Sequence, residues 1–187
     1  MGKWFFFLFL SAACVMEAVG PYQVVIIPAA ENTANALTSQ GQMRAAYLVG
    51  FLLRPHANSP VSSTIINMQK YPLADFFVMA NSTPCMQTII PLFHEGNYYS
   101  IETNNTQTIT LQTINKQSLP NLLQQIFQNS AYNEKTVVVC IEISHMSQLF
   151  KNYQSTPIGQ NGVFKIINGS TQVINYTGVP LNGFATW

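Results

Sequence analysis

The chain has 187 residues, enough for one domain with a sizeable core. Charged residues make up 8%, against about a quarter in an ordinary soluble domain, and Asn, Gln, Ser and Thr supply the polarity instead. The formal net charge is +1, which leaves no basic field to hold nucleic acid, and the only arginines are Arg44 and Arg54.

The opening "MGKWFFFLFLSAACVMEAVG" reads as a signal peptide over residues 1–20. Lys3 is a short positive region, Trp4 to Leu10 are unbroken apolar residues, and small residues follow. Cuts after Ala13 and after Gly20 both fit. The apolar run falls short of the roughly 20 residues that a membrane-spanning helix needs, and Glu17 interrupts its continuation. The segment "LSAAC" also resembles a lipobox ending at Cys14, with Ser11 where a large aliphatic residue is usual. The expectation is a secreted or periplasmic protein that meets the membrane only transiently through this segment. Lipid or membrane anchoring at the N-terminus is the alternative. Residues 21–187 are then one domain. They hold Cys85 and Cys140, which an oxidising compartment can pair. Cys140 lies within "TVVVCIEI", where a thiol is a small buried hydrophobe, and two free thiols are expected. Glycosylation sequons start at Asn81, Asn104, Asn168 and Asn175 and matter only in a eukaryotic secretory pathway.

"YQVVII" (22–27) has the continuous apolar character of a buried parallel strand. From Thr38 the spacing turns helical, with Met43, Ala46, Tyr47, Gly50 and Phe51 as the apolar stripe and Pro55 as the stop. "LADFFVMA" (73–80) predicts a second buried strand, centred on 75–79, and "CMQTIIPLF" after it can start a helix. Residues 96–117, rich in Asn and Thr, carry no clear period. "SLPNLLQQIFQN" predicts a helix capped by Ser118, with Pro120 in its first turn and Leu119, Leu122, Leu123, Ile126 and Phe127 as its stripe. "KTVVVCIEI" predicts a third buried strand over 136–143. Met146, Leu149, Phe150 and Tyr153 form another helical stripe. Two β-rich runs flanking Asn168-Gly169 predict a closing hairpin. Strands alternating with helices imply a three-layer α/β/α sandwich with a mainly parallel sheet and right-handed crossovers. Ligands gather beyond the carboxyl ends of such strands, here Pro28-Ala29, Ala80-Asn81 and Ile143-Ser144.

Four motifs in order carry a resemblance over almost all of residues 21–187. "VVIIPAAE", a loop and "LTSQGQMRAA" hold Leu37, Thr38, Gly41, Arg44 and Ala45. "PCMQTIIPL" holds Gln87, Thr88, Pro91 and Leu92. "AYNEKTVVVCIEI" holds Lys135, Thr136, Cys140 and Glu142, and "NYTGVPL" follows the hairpin. Together they resemble the histidine phosphatase (phosphoglycerate mutase-like) superfamily, and within it the small exported bacterial members. The resemblance implies that fold and a phosphomonoesterase activity. The family's chemistry uses a nucleophilic histidine, arginines that grip phosphoryl oxygens and a second histidine for developing charge. Phosphoryl transfer is mostly positioning and electrostatic stabilisation, for which arginine forks are suited.

By the same resemblance, the first arginine falls on Pro28, the nucleophilic histidine on Ala29, the second arginine on Pro84 and the second histidine on Ile143. None of these side chains has a nucleophile or a proton to offer. Glu31 and Glu142 keep the family's acidic positions, and a gap would make "EISH" place His145 at the second histidine. Those three are the residual candidates for acid–base work. Arg44, at its family position, is expected on the helix surface. His56 reads as a loop residue, and His94 as a residue at a helix end, where a cationic imidazole is favoured. No cofactor loop or metal-ligand pattern is present, so no cofactor and no metal are expected. The expected function is a catalytically inactive phosphatase-like protein that binds a protein or small-molecule partner. The alternative is a phosphatase or other hydrolase with altered chemistry on His145, Glu31 and Glu142.

Overall fold

The computed structural model describes residues 20–30, 32–33, 35–53, 66–103, 108–151, 162–167 and 173–177. In chain order the elements are β1 (Gln23–Pro28), α1 (Ser39–Leu53), β2 (Leu73–Met79), α2 (Thr83–Glu102), β3 (Thr110–Ile114), α3 (Leu119–Phe127), β4 (Thr136–Ile141), α4 (Met146–Leu149), β5 (Gly162–Ile167) and β6 (Val173–Thr177). The strands form one sheet in the order β3-β2-β4-β1-β5-β6. The neighbours among β3, β2, β4 and β1 are parallel, whereas β5 runs antiparallel to β1 and to β6. The expected α/β sandwich with a mainly parallel sheet is therefore the fold.

The strand order fixes the layers. The connections β1-α1-β2 and β2-α2-β3 both step toward the β3 edge, and right-handed crossovers put α1 and α2 on one face. The step β3-α3-β4 runs the other way, which puts α3 on the opposite face. β1 and β4 are buried at every position, as continuous Val and Ile runs covered on both sides must be. Val24 to Ile27, Phe76, Val78 and Val137 to Ile141 form the centre of the core. Gly96 lets α2 approach the sheet closely, since a Cβ there would lie 2.9 Å from Leu73 Cδ1.

Several local expectations are corrected. The buried face of α1 is Gly41, Arg44, Ala45, Leu48 and Leu52, while Met43 is exposed. Beyond Met43 this helix is apolar on nearly every side, so periodicity alone does not define which face packs. Arg44, expected on the surface, is only 3% exposed. β4 stops at Ile141, and Ile143 opens a 3-10 turn, Ile143–His145. Ser118 makes no side-chain cap to α3; its hydroxyl donates to the Asn115 carbonyl at 2.7 Å. The stripe of α3 is as expected, with Leu119, Leu122, Leu123 and Ile126 buried. α2 runs through Pro91 to Glu102, so His94 lies exposed in mid-helix and not at a helix end. The strand β3 accounts for part of the stretch that had no clear period. The hairpin strands pair as expected, while Asn168-Gly169, Pro55, Tyr153, His56 and the 1–19 segment lie outside the described residues.

Candidate active site

β1 and β4 lie side by side, yet the chain leaves them toward opposite faces of the sheet. That divergence falls at their carboxyl ends, the place where ligands of doubly wound sheets bind. Pro28 ends β1 opposite Ile141. Proline lacks an N–H, and the next residue continues the ladder: the Ala29 N–H donates to the Ile141 carbonyl at 2.9 Å. Ala29 is 1% exposed, and Ala30 is fully buried.

The loop after β1 is fastened to α2. The Ala30 N–H donates to Thr88 Oγ1 at 2.9 Å, and that hydroxyl donates to the Pro84 carbonyl at 2.7 Å. From the neighbouring residue of α2, Gln87 Oε1 accepts from the Leu37 N–H at 2.8 Å. Buried backbone donors need such partners, and α2 supplies them with two side chains from its first turns. Pro28, Ala29 and Pro84 are thereby drawn to one corner of the sheet, and Ile143 stands two residues past the strand partner of Pro28.

A polar group occupies the same corner. Ser82 is the N-cap of α2: its Oγ accepts from the Cys85 N–H at 3.3 Å and donates to Glu142 Oε1 at 2.6 Å. The other Glu142 oxygen lies 3.7 Å from His145 Nδ1, and Ser144 Oγ lies 3.0 Å from the same nitrogen. The Glu142 carboxylate thus faces the positive end of the α2 dipole and receives a charge-assisted hydrogen bond. Of the residual candidates, Glu142 and His145 are brought together, and Glu31 lies outside the described residues. Sequence reading missed Ser82 and named Ser144 only as part of a strand end. For Ser82 a signal existed, a serine followed two residues later by proline at the start of an apolar helix.

Arg44 is carried on α1, beside the small buried cluster of Ala30, Leu37 and Ala45. Among the described residues no group of three or more His, Cys, Asp or Glu is placed to hold a metal ion, and no helix is long and apolar enough to cross a membrane. The corner offers one carboxylate, one imidazole and serine hydroxyls next to alanine, proline and isoleucine. Those groups can exchange protons or bind a neutral polar ligand. Pro28, Ala29, Pro84 and Ile143 provide neither a guanidinium for phosphoryl oxygens nor an imidazole to attack phosphorus.

The α/β sheet of this order has a histidine phosphatase-like fold, as its likeness to a solved structure shows. The chain is similar to the solved structure of SixA from Agrobacterium tumefaciens, a protein assigned as a phosphohistidine phosphatase, with a TM-score of 0.50. The two share 12% sequence identity, over 83% of this chain and 95% of SixA, so the likeness is one of fold. No protein-family model and no curated protein sequence matches the chain.

Proposed function

We propose that the protein is an exported, catalytically inactive member of the histidine phosphatase-like fold that acts as a binding or interaction module. The observation that carries this reading is Ala29. It occupies the end of β1, where the resemblance puts the nucleophile, it has no reactive atom, and it is 1% exposed. Its backbone N–H is held by Ile141, and that of Ala30 by Thr88, so neither is free to bind an oxyanion. A chain relieved of catalysis can fill such a corner with apolar groups and gain stability. The ligand that suits the remaining Ser82, Ser144, Glu142 and His145 is neutral or cationic. Purified protein is expected to show no aryl-phosphate hydrolysis above background across pH and no thermal shift with phosphate or vanadate. Turnover lost in His145→Ala would defeat the proposal.

The Glu142–His145 pair supports a second reading, a hydrolase with altered chemistry. A carboxylate beside an imidazole is an acid–base unit on any fold. A bell-shaped pH profile for ester or phosphate hydrolysis, abolished by Glu142→Gln and by His145→Ala alike, would favour it.

A further inference from the structure

Behind the polar corner lie the two thiols of the domain. Cys85 is in the first turn of α2 and Cys140 is in β4 between Ile27 and Val78 of the flanking strands. Both are free and fully buried. Their relation follows from two periods. Alternate residues of a strand share a face, so Cys140 and Glu142 point the same way. Residues three apart on a helix are neighbours, so Ser82 and Cys85 do too. The Ser82–Glu142 hydrogen bond at 2.6 Å shows that these two faces meet. Cys85 and Cys140 are the next rung of the same ladder, one step deeper. Burial first, then the neighbouring Cys85 thiol, pushes the Cys140 thiol well above its ordinary pKa.

We propose that Cys85 and Cys140 are a redox pair that closes to a disulfide, fastening the start of α2 to β4, when the chain folds in the presence of a disulfide oxidant. As single buried hydrophobes, each cysteine explains itself; two neighbouring thiols from separate chain segments, on faces that the Ser82–Glu142 bond brings together, can be joined by a disulfide. The oxidant is a small-molecule disulfide such as oxidised glutathione. The thiolate of one cysteine attacks an oxidant sulfur and releases one reduced thiol. The second cysteine then attacks the mixed disulfide and releases the other. One S–S bond is formed and one broken, the two protein thiols are oxidised, and their protons end on the two released thiols. In the folded chain both sulfurs are buried and neutral, which makes the exchange slow, so the pair closes during folding, as α2 comes against β4.

The experiment is refolding of the reduced, unfolded chain with and without a mixture of oxidised and reduced glutathione. Thiols are then trapped under denaturing conditions with an alkylating agent, and the peptides are mapped by mass spectrometry. The expected result is a linked peptide containing Cys85 and Cys140, with both alkylation sites lost. The oxidised form should melt about 5 °C or more above the reduced form. A Cys85→Ala/Cys140→Ala chain should show one melting temperature with and without reductant. Recovery of Cys85 and Cys140 both alkylated after oxidative refolding overturns the proposal, as does a linkage of either to Cys14.

Discussion

Ser82 and Glu142, far apart in the chain, meet through a 2.6 Å hydrogen bond that joins the N-cap of α2 to the end of β4. The same serine oxygen caps the helix through the Cys85 N–H. Ser82→Ala removes the cap and strips a part-buried carboxylate of its donor. It is expected to lower stability by about 1–3 kcal/mol. Urea denaturation checks this, and Ser82→Thr, which keeps the hydroxyl, should lose much less.

Thr88 is the second tie between separate segments. It accepts from the Ala30 N–H and donates to the Pro84 carbonyl, at 1% exposure. Thr88→Val keeps the shape but leaves a buried N–H without its acceptor. The expected loss is about 1–3 kcal/mol. Thr88→Ser should recover most of it, as read from the urea midpoint.

Placing the arginine and histidine of the resembled family at Pro28 and Ala29 is expected not to give a phosphatase. In Pro28→Arg/Ala29→His, an imidazole enters a position that is 1% exposed, beside a guanidinium with no phosphate to grip. Over-packing alone costs about 1–3 kcal/mol, and a buried charge without a good partner costs several kcal/mol more on the order of magnitude of measured cases. The double variant should melt below the parent and give no measurable aryl-phosphate turnover. A stable and active double variant would show that the corner accepts both charged groups beside Pro84 and Ile143 and would overturn the expectation.

Tyr132 supplies a pH dependence. Its hydroxyl donates to Asp75 Oδ2 at 2.6 Å, and burial first, then that bond and the carboxylate charge, push its pKa well above the ordinary phenol value. The folded state therefore favours the protonated phenol. This stability is fully present below the unfolded pKa of about 10 and is lost as pH rises from there through the folded value. Tyr132→Phe should lower stability at neutral pH by about 1.5–3 kcal/mol, since a hydrogen bond to a charged group is lost. Between about pH 9 and about pH 11 its stability should then fall less steeply than that of the parent. Urea titrations at the two ends of that range measure both effects.

The sequence by itself determined the central strands and the α3 stripe, though not where β4 stops. Continuous Val and Ile runs bounded by turn residues admit few other structures, and the Leu119–Ile126 spacing has one apolar side. It also shows that Pro28, Ala29, Pro84 and Ile143 carry no nucleophilic or cationic side chain. The tertiary structure alone decided the packing face of α1, because a helix apolar on most sides offers several stripes and the burial of Arg44 runs against composition. It alone decided that Ser82 caps α2 against Glu142, that Thr88 holds Ala30, and that Cys85 lies against Cys140. Each of these joins a residue of α2 to a strand end remote in the chain. No periodicity within a local window reports such a pairing, because it arises only when the crossovers bring the helix N-terminus and the strand ends to the same corner of the sheet.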